Sequence, residues 1–387
     1  MVSIVENHPN RAHAEPKGWT ADPYYSDERM HHQVGPDVSI PFYRKVLELE
    51  KLLDLKRTQG LNVIGVLPAL NEGTNNGTRD APIAETIENL MCMREKGLVD
   101  RFEVVCNGND DTQQVVESAI DSYGDEALGF FYAPNLLSMY GLKGRQGKGG
   151  NLALATMMHP GPKDILVFID TDCGMLPAQL QAIVSPLIED PNVMLSLSMF
   201  ERRTKAGNPD APNHVEGGRV TSFQLQPNLE MFFPQLNGLS QPIAGLYAGR
   251  GSSLAKIEFP TDYRVETALI IESLMEHGSD ALAQVWCGTK MQDGHGTQAL
   301  RLMAAQINHE IFWQAHKHLG YPLPVGFIPG SRRAVNHTVT KKEGTVELGM
   351  SEIQLPIRNV AAPNTLESPH VLASQVSQCL VTLFRGA

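Results

Sequence analysis

Cysteine is scarce and scattered in this chain. There are five, Cys92, Cys106, Cys173, Cys287 and Cys379, odd in number and without C-x-x-C spacing. That pattern indicates neither a disulfide framework nor a zinc site, and a reducing cytoplasm fits best. Long hydrophobic runs are missing too. No stretch approaches a membrane span, and residues 1–16 are polar with no apolar h-region, so neither an anchor nor a secretory leader is expected. Positive charge is the third shortage. Against 43 acidic residues stand 32 basic ones, and the net charge of -11 disfavours general binding to nucleic acid or anionic membranes. A phosphate-bearing substrate would need a local basic site. Internal repeats, the H-E-x-x-H order of metalloproteases and the G-x-x-x-x-G-K-[ST] phosphate loop are also absent.

What is present is the composition of a globular protein, 42% apolar and 19% charged over 387 residues, enough for one large or two ordinary domains. Residues 1–40 hold four histidines, several prolines and few apolar side chains, and read as an arm. Residues 42–56 place Val46, Leu49, Leu52, Leu53 and Leu55 at roughly helical spacing. From there strands alternate with helices: a strand at 62–68, a helix at 83–94, a strand at 102–106, a helix at 113–123, a short strand at 129–132, a helix at 150–158 and a strand at 165–169. This alternation predicts an α/β fold, Rossmann-like, with a mostly parallel sheet and helices on both faces. Residues 207–218 and 322–330 are Gly- and Pro-rich joints, and 331–387 has weak periodicity.

The most informative run is Ile165-Leu166-Val167-Phe168-Ile169-Asp170-Thr171-Asp172. A buried strand delivers two carboxylates, spaced two apart, to the sheet edge where open α/β folds bind ligands. One carboxylate can take a hard divalent cation, which then carries the charge of a diphosphate, while the other faces a sugar hydroxyl. An Asp-rich turn closing a strand reads equally well from D-x-D alone. Lys143-Gly144-Arg145-Gln146-Gly147-Lys148-Gly149-Gly150 sets three cations among four glycines just before a helix. Backbone amides and the helix N-terminus make it an anion site with Lys148 on a diphosphate, or else it is a solvated basic turn. Leu67-Pro68-Ala69-Leu70-Asn71-Glu72 and Asn107-Gly108-Asn109-Asp110-Asp111-Thr112 close two strands in one layer, as a base or ribose site or as plain turns and an N-cap. Gly217-Gly218-Arg219-Val220-Thr221 offers an arginine and a threonine hydroxyl for a phosphate or carboxylate, with surface salt bridges as the bland alternative. His295 lies in a Gly-rich loop where an imidazole could complete a metal shell, and His309, His316 and His318 read as structural or exposed.

Taken in order, these segments resemble the glucosyl-3-phosphoglycerate synthases, glycosyltransferases with the A-type nucleotide-diphospho-sugar fold. The resemblance runs from about Val63 to Ile311. It is carried most specifically by Gln146-Gly147-Lys148-Gly149, Ser198-Met199-Phe200-Glu201-Arg202-Arg203, Gly217-Gly218-Arg219-Val220-Thr221, Gln241-Pro242, Tyr263-Arg264-Val265-Glu266 and Leu282-Ala283-Gln284-Val285. It implies a nucleoside site at Pro68, Ala69, Leu70 and Glu72, with Asn107 in place of the family's serine. It further implies a donor site at Lys148, Asp170 and Thr171, and magnesium or manganese on Asp172 and His295, with Gln292 or Asp293 as substitutes for the histidine. Gly218, Arg219, Val220 and Thr221 correspond to the acceptor-phosphate loop. Tyr263 and Glu266 would flank the glycerate and the sugar, with Thr297 where the family has an asparagine. Ala244-Gly245-Leu246 departs from the family's Gly-Gly-Glu.

The expected protein is therefore a retaining, metal-dependent hexosyltransferase, cytoplasmic and homodimeric, with Asp172, Lys148 and Glu266 as its catalytic residues. Its donor would be a nucleotide-diphospho-sugar such as UDP-glucose, and its acceptor a small anion such as 3-phosphoglycerate or glycerate. No nucleic-acid or membrane partner is expected. The chain divides into an arm and helix (1–58), a nucleotide-sugar region (59–240), an acceptor region (241–330) and a C-terminal extension (331–387). An inverting transferase, a sugar-nucleotide nucleotidyltransferase and a non-catalytic sensor are the alternatives.

Overall fold

The computed structural model describes residues 29–33, 39–43, 47–70, 72–73, 82–108, 110–135, 147–171, 175–204, 218–260, 262–292, 297–323, 333–342 and 345–354. Among the described residues eleven strands run in chain order as β1 (Arg29–Gln33), β2 (Ser39–Tyr43), β3 (Asn62–Ala69), β4 (Arg101–Cys106), β5 (Leu128–Tyr132), β6 (Asp164–Ile169), β7 (Leu195–Thr204), β8 (Leu246–Arg250), β9 (Leu282–Gln292), β10 (Arg333–Lys342) and β11 (Thr345–Gln354). The helices are α1 (Leu49–Gln59), α2 (Pro82–Glu95), α3 (Thr112–Tyr123), α4 (Lys148–Met158), α5 (Pro177–Glu189), α6 (Gln226–Phe232), α7 (Gly251–Leu254), α8 (Arg264–His277) and α9 (Thr297–Leu319).

Nine of the strands form one sheet in the order β1-β2-β9-β7-β8-β6-β3-β4-β5. The central strands are buried along nearly their whole length because helices cover both faces, which is why they are continuous apolar runs and not alternating ones. β3 pairs in parallel with both β4 and β6, while β8 runs antiparallel between β6 and β7. The chain thus leaves β3 first toward β4 and β5 and later returns to lay β6 on its other side. That reversal opens a crevice beyond the carboxyl ends of β3 and β6, the usual ligand position of an open α/β sheet.

The sheet divides two cores. Leu52 of α1, Ile87 and Leu90 of α2, Val116 of α3 and Ile183 of α5 cover one face. Leu152 of α4, Leu229 of α6, Leu269 of α8 and Ile311 of α9 cover the other. Successive residues of β8 alternate between the two, with Leu246 and Ala248 in the first core and Tyr247 in the second. Gly65 in β3 is required by packing, since a Cβ there would lie 2.3 Å from the Phe102 ring.

Two sequence expectations change. The segment 1–40 was read as an arm without periodicity, yet β1 and β2 extend the sheet from it, Phe42 and Tyr43 pairing in parallel with Gln284 and Val285 of β9. Short outer strands are specified by such pairing more than by their own apolar pattern. The helix expected over 42–56 accordingly starts later, at Leu49. In the C-terminal extension, β10 and β11 form a separate antiparallel hairpin. Among the described residues Cys92, Cys106 and Cys287 are free thiols, and no helix is long and apolar enough to cross a membrane.

Candidate active site

The carboxyl ends of β3 and β4 lie side by side, and the Asn107 N–H donates to the Ala69 carbonyl at 3.2 Å. Pro68, Ala69, Glu72 and Asn107 therefore share one rim of the crevice. Ala69 is buried, whereas Leu70 is more than half exposed. The turn after β3 is pinned by α3's first residues. Asp110 Oδ2 accepts the Gly73 N–H at 2.9 Å, Thr112 Oγ1 accepts the Glu72 N–H at 3.0 Å, and Asp110 Oδ1 in turn accepts the Thr112 hydroxyl at 2.5 Å and amide at 3.1 Å. These bonds hold the Asp110 carboxyl below its usual pKa against the opposing effect of burial. The sequence leaves Asp110 and Thr112 open between a base or ribose site and a turn with an N-cap, and the structure gives them the turn-pinning role.

α4 begins on the opposite side of the crevice. Gly147 is extended and no side chain caps the helix, so the first-turn amides at Lys148, Gly149 and Gly150 face the region where the Gly-rich loop joins the helix. Buried Asn151 anchors this turn by donating from Nδ2 to the Val105 carbonyl at 2.8 Å. Gly149 is the contact point with α8. A Cβ there would lie 1.8 Å from the Pro260 carbonyl oxygen and 3.1 Å from Val265 Cβ. Gly149→Ala is therefore expected to push the two helices apart, lowering Tm by a few degrees for an overpacking cost of about 1–3 kcal/mol, and lowering kcat about 10-fold. Thermal unfolding and steady-state kinetics on the variant check this.

The close approach brings together three charges far apart in sequence. Lys148 Nζ lies 2.7 Å from Asp170 Oδ1 and 2.5 Å from Glu266 Oε1. The three side chains are only 13%, 27% and 10% exposed, respectively. Asp170 follows β6, its N–H donating to the Gly245 carbonyl at 3.1 Å. Glu266 sits in the first turn of α8, where the helix dipole favours an anion, and its Oε2 accepts the Gly245 N–H at 3.4 Å. Burial alone would depress the Lys148 ammonium, but Asp170, Glu266 and Tyr247 outweigh it and hold the pKa well above the ordinary lysine value. Beneath the cation lies Tyr247, its ring centroid 5.8 Å from Nζ and 5.2 Å from that of Phe168. Tyr247 was missed in the sequence because an aromatic in a short strand reads as core.

One cation against two carboxylates leaves the cluster net negative before any ligand arrives. A diphosphate adds further negative charge, so the residues present suit a divalent cation beside them. Among the described residues no group of three His, Cys, Asp or Glu could hold one. Asp172 and His295 lie outside the described residues, as do Asn71 and the loop from Lys143 to Gln146. Thr171 is buried, and its carbonyl accepts the Thr86 hydroxyl at 3.0 Å.

Residues 218–225 lie on the same face of the sheet, Val220 and Leu225 joining the core that α4 and α8 cover. Gly218 adopts the left-handed conformation at φ +71°, Arg219 is exposed, and Val220 and Thr221 are buried as the chain enters a π-helical turn over Thr221–Leu225. α6 continues that turn and packs on α9 through Asn228 with Asn308 and Phe232 with Phe312. Tyr263, half exposed, precedes α8. Thr297 begins α9, and its side chain lies outside the described residues. The histidines of α9 serve structure: His309 Nδ1 meets the Arg264 guanidinium at 3.3 Å, His316 the Tyr321 carbonyl at 3.0 Å, and His318 the Glu272 carboxylate at 3.3 Å.

Comparison with known proteins places these features. No protein-family model matches the chain. A glucosyl-3-phosphoglycerate synthase from Petrotoga mobilis is 27% identical over 277 residues, spanning 71% of this chain and 80% of the relative. One from Mycobacterium tuberculosis is 30% identical over 252 residues, spanning 64% of this chain and 72% of the relative. The chain belongs to the glucosyl-3-phosphoglycerate synthase family. It is thus a glycosyltransferase, and its fold agrees. The crystal structure of mannosyl-3-phosphoglycerate synthase from Rubrobacter xylanophilus superimposes with a TM-score of 0.67 at 23% identity, covering 83% of this chain and 94% of that one. The Mycobacterium tuberculosis glucosyl-3-phosphoglycerate synthase in complex with Mn2+, UDP and phosphoglyceric acid superimposes with a TM-score of 0.63 at 24% identity, covering 81% and 95%. For this family member the A-type glycosyltransferase fold expected from the sequence is therefore correct.

Proposed function

We propose that this member of the family transfers glucose from a nucleotide-diphosphoglucose, UDP-glucose first, to 3-phosphoglycerate with retention of the anomeric configuration. The observation that carries the reading is the Lys148–Asp170–Glu266 cluster at the carboxyl edge of the sheet. Lys148 stabilises negative charge developing on the departing diphosphate, because a preorganised cation in a partly buried site needs no solvent rearrangement at the moment of bond breaking. Asp170 holds that cation and faces the sugar. Glu266 orients or deprotonates the acceptor hydroxyl, on the same face as the leaving group. No protein nucleophile is assigned. Pro68, Ala69, Leu70, Glu72 and Asn107 form the nucleoside rim, with Thr171 beside them. Gly218, Arg219, Val220, Thr221, Tyr263 and Thr297 receive the acceptor.

Magnesium or manganese would be held by Asp172, the second carboxylate of the D-x-D, together with His295, and would supply charge neutralisation for the diphosphate. We read the enzyme as a cytoplasmic homodimer divided as the sequence implies. The sugar is the least constrained part of the reading, since Leu246 stands where the family carries a glutamate, and a mannosyl donor is the second to test.

Purified protein incubated with UDP-glucose or GDP-glucose, Mg2+ or Mn2+ and 3-phosphoglycerate is expected to release nucleoside diphosphate and form an α-linked glucosyl product, read by mass spectrometry and anomeric NMR. A β-linked product would assign an inverting transferase, and pyrophosphate release from a nucleoside triphosphate a nucleotidyltransferase. No nucleoside diphosphate from any sugar donor would overturn the proposal. Arg219→Ala is expected to raise the acceptor KM about 10- to 100-fold with little change in donor KM, as for one lost charge-assisted bond of about 1.5–3 kcal/mol. An unchanged acceptor KM removes Arg219 from the acceptor site.

A further inference from the structure

Tyr247 is 2% exposed, yet its hydroxyl has no hydrogen-bond partner among the described residues. Buried hydroxyls are nearly always bonded, because stranding one costs free energy that a bond would offset. Tyr247 is one of the exceptions among the described residues, and its ring lies beside the charged cluster. The Tyr247 ring lies under the Lys148 ammonium, and its backbone is two residues from Gly245, which bonds both Asp170 and Glu266. Register fixes this placement: Tyr247 stands opposite Phe168 of β6, on the face of the sheet covered by α4 and α8. Burial, followed by the effect of the neighbouring carboxylates, pushes the phenol well above its ordinary pKa despite the nearby lysine, so it stays protonated and offers a donor hydrogen. The cluster otherwise presents one ammonium already shared by two carboxylates.

Resting on the proposed function, we infer that the Tyr247 hydroxyl is a donor-sugar contact, hydrogen-bonding a hydroxyl of the transferred hexose and not the nucleotide. Tyr247→Phe removes only the oxygen and leaves the ring under Lys148. Isothermal titration calorimetry in the presence of Mn2+ should then show UDP-glucose binding weakened about 3- to 15-fold, with UDP binding unchanged. Tm should be equal or higher, because a stranded buried hydroxyl has been removed. Equal binding of UDP-glucose by both proteins overturns the inference, as does an equal loss for UDP and UDP-glucose. A lower Tm would assign the hydroxyl to structure and overturn it too.

A second measurement keeps the wild-type protein. Among UDP-deoxyglucose analogues lacking single hydroxyls, one should bind wild type as weakly as UDP-glucose binds Tyr247→Phe, and that analogue should lose nothing further in the variant. Additive losses for every analogue contradict the contact. Wild-type protein that binds UDP but neither UDP-glucose nor any other sugar donor would overturn the parent reading. Normal wild-type binding with an unaffected variant would overturn this inference alone.

Discussion

Replacing Lys148 by methionine is expected to lower kcat about 100- to 1000-fold, the usual loss when one preorganised stabiliser of developing charge is removed from an active site. The side chain keeps its length and its packing over Tyr247, so the effect isolates the charge. Two further consequences follow, the second of which separates this variant from a damaged fold. First, Asp170 and Glu266 lose the cation they share at 2.7 and 2.5 Å, and carboxylates in partly buried surroundings are costly without a partner, so Tm should fall by several degrees. Second, the donor KM should change far less than kcat if, as proposed, the ammonium acts chiefly on charge that appears as the glycosidic bond breaks. Stopped assays and thermal unfolding on the same preparations check both. A variant with wild-type kcat would remove Lys148 from the chemistry.

Asp172→Ala is expected to abolish measurable turnover and, independently of turnover, to weaken Mn2+ binding at least 10-fold, as followed by electron paramagnetic resonance of the free ion. The cluster of one lysine against two carboxylates is already net negative, so this cluster by itself does not compensate a diphosphate if the metal ligand is removed. Asp170→Asn makes the informative contrast. It removes a carboxylate from Lys148, and should leave Mn2+ affinity within a few-fold of wild type while reducing kcat. If both substitutions weaken Mn2+ equally, the division of labour between the two acidic residues is wrong.

Much of the frame was legible because central parallel strands must be apolar along their length. β3, β4 and β6 were read nearly residue for residue, and their carboxyl ends gave Ala69, Asn107 and Asp170. Lys148 was legible from glycines preceding a helix. Glu266 was not, except through the family resemblance: it lies 118 residues from Lys148, and nothing local to α8 announces the ion pair. Gly149 explains the meeting, since only a residue without Cβ lets α4 approach the Pro260 carbonyl, but that requirement exists only in three dimensions. β1 and β2 were missed because short outer strands containing histidine and proline draw their structure from the strands they pair with. Tyr247 was missed, and the Asp110–Thr112 clamp left undecided, for a related reason, since the same residues in the same local pattern serve cores and turns everywhere.

A crystal structure of the wild-type protein with Mn2+ and UDP-glucose tests the transfer-site assignment most directly. It should show the metal on Asp172 and a diphosphate oxygen within hydrogen-bond distance of Lys148 Nζ. The hexose should lie between Glu266 and Tyr247. A nucleotide sugar bound away from this rim, with Lys148 still held between Asp170 and Glu266 and touching no ligand, would contradict it.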